Sequence, residues 1–227
     1  MKHLAAYQNA KLAERYKALV DRVAAAEKAA GAEGDALALT VARTYAKLLA
    51  YKDEYEVARL MTSGTLKREL ADTFEGGLKI ELNLGSPLLL SRRDPKTGRL
   101  AKRSFGAWML GPMRLLAAMK GLRGTPLDIA GMHPHRRAER ALIGEYEALI
   151  EDILPALSAA NHAAAVDLAA VHGTIRGYDV VKEASMAVAA EQLPEKRAAF
   201  ERAGRDEAPG AGKHVVGSEP ASGAGVR

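Results

Sequence analysis

Apolar residues recur at helical spacing over most of this chain, and no other feature limits its possible folds as strongly. The pattern predicts helices at residues 3–30, 36–61, 65–74, 134–154, 158–171 and 180–203. Asp35 is a suitable N-cap for the second helix, and Pro134 suits the first turn of the helix that Pro155 stops. Alanine is abundant and only 5% of the residues are aromatic, so the helices are expected to pack closely through small side chains.

The hydrophobic period changes once, in the sequence "LKIELNL". Apolar and polar side chains alternate there, which predicts a β-strand over residues 78–84. The turn sequence "RRDPKTGR" follows and predicts a hairpin. Residues 104–121 are apolar and predicted helical, with a kink or a new helix start at Gly111-Pro112. The expected fold class is therefore mainly α, a multi-helix domain with one small β-hairpin near residues 78–104.

We expect residues 1–203 to form a single mainly helical domain. Residues 204–227 contain six glycines and two prolines and almost no apolar periodicity, which is typical of a disordered tail. No apolar run approaches the roughly 20 residues that a membrane span needs, and the first residues lack the apolar core of a signal peptide. We therefore expect a soluble, cytoplasmic protein.

The positive charge of the chain is concentrated in one segment. The net charge is +5, but residues 91–123 contain nine lysines and arginines against one acid, Asp94, which gives +8 for that segment alone. This distribution predicts a local partner-docking surface, with Arg92, Arg93, Lys96, Lys102, Arg103 and Arg123 as its candidate residues. The alternative is a solvated hairpin tip whose lysines guard the sheet edge. Nucleic acid is a less suitable partner, because Phe105 and Trp108 lie in an apolar run.

The residues offer no candidate catalytic site. Glu54 and Glu56 are two residues apart on a predicted helix and point to different sides, whereas Lys52, Glu56 and Arg59 would form one charged stripe. His133 and His135 lack further ligands at i+3 or i+4, so no metal site is predicted. Without cysteine the chain cannot ligate an iron–sulfur cluster by thiolates. Phosphate-binding glycine loops are absent, although "GLRGTPLD" could either hold an anion or form a plain inter-helix turn.

Several stretches, in their order and spacing, resemble the C-terminal domain of the fused indolepyruvate ferredoxin oxidoreductase family over about residues 4–200. They are "YKDEYEVARL", "FEGGLKIELNLGSPLLLSRRDPKTGRLAKRSFGAWML", "GLRGTPLD", "RRAERALIGEYEALI" and "IRGYDVVKE". The sequence departs from the family at Gly77, where an aspartate is expected, and at Val180-Val181, where a histidine is expected. Gly111-Pro112 interrupts a stretch that should be smoothly helical. These departures indicate a diverged copy.

The resemblance implies a 2-oxoacid:ferredoxin oxidoreductase, which decarboxylates aryl pyruvates on thiamine diphosphate and releases an acyl-CoA. In the fused proteins the regions that bind thiamine diphosphate, magnesium and the iron–sulfur clusters lie upstream of this segment. The chain has neither their G-D-G motif nor cysteines, so no catalytic residue is carried over and no cofactor is expected on this chain.

Two hypotheses follow from the sequence. In the first, the chain is the non-catalytic C-terminal portion of this enzyme and supports assembly with the catalytic part or docking of ferredoxin or coenzyme A through the basic segment. In the second, it is a stand-alone helical interaction module without enzymatic activity.

Overall fold

The computed structural model describes residues 1–76, 79–86, 89, 92, 94–96, 100–178 and 180–205, without the side chains of residues 66, 67 and 70. Nine α-helices and two β-strands lie within these residues, and the predicted mainly α fold with one hairpin is confirmed. The helices are α1 (Lys2–Tyr7), α2 (Ala10–Ala29), α3 (Ala36–Leu49), α4 (Glu54–Met61), α5 (Gly64–Thr73), α6 (Leu110–Ala118), α7 (Pro134–Ile153), α8 (His162–Ala170) and α9 (Val180–Arg205). None of these helices combines the length and apolar character needed to cross a membrane.

Two helices predicted as continuous are each broken by a side-chain cap. The Asn9 side chain accepts a hydrogen bond from the Leu12 N–H at 2.9 Å and starts α2. In the same way, Asp53 accepts from the Glu56 N–H at 2.8 Å and starts α4. An N-cap has non-helical backbone, so the predictions of single helices at 3–30 and 36–61 are wrong at these two points.

Helix α3 is capped by a residue from another helix. Asp35 occupies its N-cap position but makes no side-chain capping bond. Instead the buried Glu27 carboxylate of α2 accepts from the N–H groups of Leu37 and Ala38, at 2.7 and 2.9 Å. His162 at the start of α8 contacts the same carboxylate at 2.6 Å. One side chain thus satisfies two of the free N–H groups of α3 and joins three helices.

The hairpin is short and antiparallel. Its strands are β1 (Glu81–Leu84) and β2 (Arg103–Gly106), paired so that Leu82 faces Phe105. Residue 78, at the start of the strand predicted over 78–84, lies outside the described residues. A 3-10 turn connects β2 to α6, which begins at Leu110, so Pro112 falls in its first turn, where a missing N–H costs nothing.

The apolar side chains form two separate clusters. The larger one unites α1, α2, α3, α7, α8 and α9 around Val23, Val41, Tyr146 and Ile150. The smaller one, which contains Leu82, packs the hairpin against α4 and α6. Two strands cannot form a stable sheet alone, so α4 and α6 provide the surface on which the hairpin folds.

The predicted tail boundary is close to the end of the last helix. Helix α9 continues to Arg205, two residues beyond the predicted limit of the domain at 203. Residues 206–227, which make up the rest of the predicted tail, lie outside the described residues.

Candidate functional site

The residues predicted to dock a partner lie mostly on and around the hairpin. Four of the six are exposed and form no ion pair with a described residue, and we call them the basic hairpin surface: Arg92, Lys96, Lys102 and Arg103. The Ala101 N–H donates to the Arg92 carbonyl at 2.8 Å, so Arg92 lies across the hairpin from the chain that leads into β2. Arg93 lies outside the described residues. The hairpin therefore brings together charges that are up to eleven positions apart in the sequence.

The sixth residue, Arg123, is buried and not part of this surface. Its side chain is 3% exposed, and its Nε and Nη2 atoms donate to the Asp53 carboxylate at 2.5 and 2.8 Å. Nη1 donates to the Tyr7 carbonyl, and the guanidinium lies 3.7 Å from the centroid of the Tyr7 ring. Burial alone would lower the pKa of Arg123, but Asp53 and the nearby tyrosines raise it. The grouping of Arg123 with the docking residues needs correction, since it is a structural ion pair.

The "GLRGTPLD" segment forms a turn stabilised by its own carboxylate. Asp128 accepts hydrogen bonds from the N–H groups of Gly124 and Gly131, each at 2.8 Å. Arg140 of α7 pairs with the same carboxylate at 2.7 Å, and the Tyr55 hydroxyl donates to it at 3.1 Å. The donors that could hold an external anion are thus occupied by Asp128, and the geometry is that of an inter-helix turn.

An exposed tryptophan lies beside the basic hairpin surface. Trp108 is 66% exposed and packs edge-on against Phe105, with ring centroids 6.1 Å apart. The Arg103 guanidinium lies 5.8 Å from the Phe105 centroid. Trp108 was not among the predicted docking residues, because it lies in an apolar run of the sequence. The four-residue spacing of the buried Met109 and Met113 is the signal that places Trp108 away from the core.

Beside the hairpin is a cleft of about 510 Å³ that we call the charged cleft. Its walls come from the α3–α4 loop, the hairpin and the first turns of α7 and α9, and its lining includes Lys52, Lys102, His133, His135, Arg136, Glu139, Tyr178, Lys182 and Glu183. The side chains therefore belong to four separate parts of the chain, which only the tertiary fold brings together.

An ionic network forms one side of the charged cleft. Arg136 contacts Glu54 at 3.3 Å and Glu139 at 2.6 Å, and Lys182 contacts Glu139 at 2.6 Å. Ser86, next to the hairpin, donates to Glu54 at 3.1 Å. Burial would lower the pKa of Arg136, but Glu54 and Glu139 raise it further than burial lowers it. The network links the hairpin, α4, α7 and α9 and leaves its own charges balanced.

In "YKDEYEVARL", Glu54 and Glu56 point to different sides of α4, as their spacing predicts, but Lys52 does not lie where it was predicted. Glu54 points to Arg136, whereas Glu56 forms a bidentate pair with Arg59 at 2.7 Å. Lys52 precedes α4 and its Nζ lies 4.4 Å from the centroid of the Tyr178 ring. The predicted stripe of Lys52, Glu56 and Arg59 is therefore wrong for Lys52, because the helix starts later than expected.

Two histidines, His133 and His135, lie together in the lining of the charged cleft. His133 and His135 stack with centroids 4.9 Å apart, and His135 Nδ1 contacts Glu183 at 2.7 Å. Within the described part of the chain, no three His, Asp or Glu side chains are close enough to hold a metal ion. His172 is 3% exposed, and burial lowers its pKa because desolvation disfavours the charged imidazolium.

Comparison with known proteins gives one match. The model of a family of unknown function, DUF6537, matches residues 1–195. Neither a curated protein nor a solved structure matches the chain. The matched region contains the described hairpin, the basic hairpin surface and every residue that lines the charged cleft.

Proposed function

The chain belongs to the DUF6537 family, and we propose that it is the non-catalytic C-terminal portion of an indolepyruvate ferredoxin oxidoreductase. In this proposal it assembles with the catalytic part of the enzyme and docks ferredoxin or coenzyme A. The support for the enzyme is the resemblance of the ordered stretches described above. The support for a docking role is structural and independent of that resemblance.

The observation that carries the docking role is the unpaired charge of the basic hairpin surface. Its four cations are exposed and have no ion-pair partner among the described residues. On the helical part of the molecule, by contrast, several exposed cations are paired: Arg15 with Glu147, Arg22 with Glu151 and Lys196 with Asp167. Unpaired positive charge on one edge attracts an acidic partner and orients it during the encounter.

Trp108 provides the apolar component that a docking surface needs. Tryptophan and arginine are the residues that most often dominate binding energies at protein interfaces. Here the exposed Arg103 and Trp108 lie 5.8 and 6.1 Å from the centroid of the half-buried Phe105 ring. An acidic protein would thus meet a surface with both electrostatic and apolar contacts, and the same cations could contact the phosphates of coenzyme A.

The test is a binding measurement between the full chain and a catalytic core that carries the thiamine and iron–sulfur regions. The test variant is R92Q/K102Q/R103Q, and the matched control is K11Q/K28Q/R43Q, which removes the same charge from exposed positions of α2 and α3. We expect the test variant to weaken binding about tenfold or more and to reduce its salt dependence. The control should change the affinity by less than about twofold.

Trp108→Ala distinguishes the apolar contribution to binding from the electrostatic one. This variant should weaken binding to the core without changing the salt dependence of the affinity. Ferredoxin reduction by the core is then measured with and without the chain. If the chain does not bind the catalytic core and remains a stable monomer, the proposal is wrong and the stand-alone interaction module is favoured. If the test and control variants bind the core with equal affinity, the docking role of the basic hairpin surface is refuted, but the assembly of the chain with the core is not.

A further inference from the structure

A second cavity of about 210 Å³ adjoins the charged cleft, and we call it the apolar chamber. It lies between α4, the hairpin and α6. Ser86 lines it together with seven aliphatic or sulfur-containing side chains: Val57, Leu84, Leu89, Met109, Pro112, Met113 and Leu116. Among the described residues, none of those that line it is aromatic. A cavity of about 150 Å³ with such a lining already accommodates a benzene-sized apolar molecule, so this chamber has room for a short apolar chain.

The charged cleft and the apolar chamber meet at shared walls. Lys52, Glu54, Gly85 and Arg136 line both. Glu54 and Arg136 form the 3.3 Å ion pair of the network, so these two charges are satisfied internally. Gly85 has no side chain to close the junction, and a Cβ atom there would lie 3.3 Å from the carbonyl oxygens of Leu100 and Ala101. A single elongated molecule could therefore extend from one cavity into the other.

The charge of the combined site is positive once the internal pairs are subtracted. Glu54 and Glu139 are balanced by Arg136 and Lys182. Glu183 contacts His135, which is an ion pair only when the imidazole is protonated, so the described lining carries four lysines and arginines against three carboxylates. Lys52 and Lys102 have no ion-pair partner among the described residues. Lys52 lies at the junction itself and is held by the Tyr178 ring. Its ammonium group is thus placed to meet an anionic group just outside the apolar chamber.

We propose that the two cavities together bind a small amphiphilic anion, with its anionic head at Lys52 and Lys102 and its alkyl tail in the apolar chamber. Methionine side chains adapt to flexible apolar ligands, and two of them line the chamber. The combined cavity volume is within the range of ordinary small-molecule sites, roughly 300 to 1,000 Å³. This site differs from the basic hairpin surface, which shares only Lys102 with it.

The first test is isothermal titration calorimetry of the full chain with straight-chain carboxylates from acetate to octanoate. Octanol serves as the ligand with the same tail and no charge, and octyl phosphate as the ligand with a different anionic head group. Each methylene buried in the chamber should strengthen binding about fourfold, so octanoate, with four more methylenes, should bind about 250-fold more tightly than butanoate. Octanol should bind more weakly than octanoate. The ratio of the dissociation constants of octanoate and octyl phosphate identifies the preferred head group.

Variants then assign the two halves of the site. Lys52→Gln should weaken octanoate binding about tenfold and leave octanol binding unchanged, whereas the matched control Lys11→Gln should change neither. Val57→Phe fills the apolar chamber and should abolish the increase in affinity with the length of the ligand's alkyl chain. If Val57→Phe does not fold, the chain-length series on the unaltered protein and the Lys52→Gln variant still decide the question.

The location is read from the methionine methyl signals in a carbon-13 nuclear magnetic resonance spectrum. Octanoate should shift the signals of Met109 and Met113 and leave that of Met1, which is exposed and lines neither cavity, in place. The proposal is overturned by an affinity that does not rise with chain length, by a Lys52→Gln variant that binds octanoate normally, or by shifts confined to other methionines. A failure of the docking proposal would not decide the ligand proposal. Octanoate binding is measured on the chain without the enzyme core, and Lys52→Gln leaves Arg92 and Arg103 of the basic hairpin surface unchanged.

Discussion

The buried pair of Arg123 and Asp53 should be worth much more to stability than an ion pair on the surface. Both side chains are 3% exposed, and two hydrogen bonds of 2.5 and 2.8 Å join them. Removal of one partner leaves the other charge buried without compensation, which typically costs about 3–5 kcal/mol. We therefore expect Arg123→Met to lower the free energy of unfolding by about that amount.

Asp53 has a second role that can be separated from the first. Its Oδ1 atom also accepts from the Glu56 N–H at 2.8 Å and caps α4. Asparagine caps a helix about as well as aspartate, whereas alanine loses about 1 kcal/mol. Asp53→Asn thus removes the charge and keeps the cap, and Asp53→Ala should be about 1 kcal/mol less stable than Asp53→Asn. The double variant D53N/R123M should cost less than the sum of the two single variants, since neither charge remains.

The measurement is urea denaturation at neutral pH, followed by circular dichroism of the helices. The control is Lys196→Met, which breaks the exposed pair of Lys196 with Asp167, 2.7 Å apart and 39% and 63% exposed. That control should cost about 0–1 kcal/mol. The reasoning is refuted if Arg123→Met costs no more than Lys196→Met, or if the effects of D53N and R123M simply add.

Two further predictions concern a buried histidine and two glycines. Because burial lowers the pKa of His172 below its usual 6.5, the folded state binds fewer protons than the unfolded state, so stability should fall as pH drops from about 6.5 to the folded-state pKa. His172→Phe should flatten this part of a pH series of urea denaturations, and an unchanged slope would contradict the assignment. Gly131→Ala should destabilise the protein by about 2 kcal/mol or more, because the new Cβ would lie 2.0 to 2.1 Å from Arg140 and Asp128 side-chain atoms. Gly144→Ala, in the exposed middle of α7 with no atom within 4 Å of the new Cβ, should instead raise the thermal midpoint through a gain of about 0.5–1 kcal/mol, and the opposite order of the two midpoints would contradict this.

The local pattern of the sequence predicted most of the secondary structure. Helix α7 begins at Pro134 and ends at Ile153, next to the predicted limits. The alternation around Leu82 marked the strand that pairs with β2. The hydrophobic period and the turn residues act over a few positions, so they can be read from the sequence alone. The breaks before α2 and α4 were missed because Asn9 and Asp53 are compatible with a helix until their capping bonds are seen.

The site could be predicted only in part, and two arginines of the same basic segment show why. Arg103 and Arg123 are indistinguishable by charge, yet the first lies on the hairpin and the second is buried against Asp53, 70 positions away in the chain. Whether a cation is paired depends on which distant carboxylate the fold brings within hydrogen-bonding distance. The charged cleft likewise combines Lys52, Arg136 and Lys182, which no local spacing relates.

The sequence by itself determined that the chain is helical, where its hairpin lies and which segment carries the positive charge. These properties follow from side chains a few positions apart, whose geometry the backbone period fixes. The tertiary structure decided which of those charges face solvent, because burial and ion pairing depend on contacts between distant parts of the chain. It also decided that Trp108 is exposed, and it created the two adjoining cavities between α4, α6, α7 and α9.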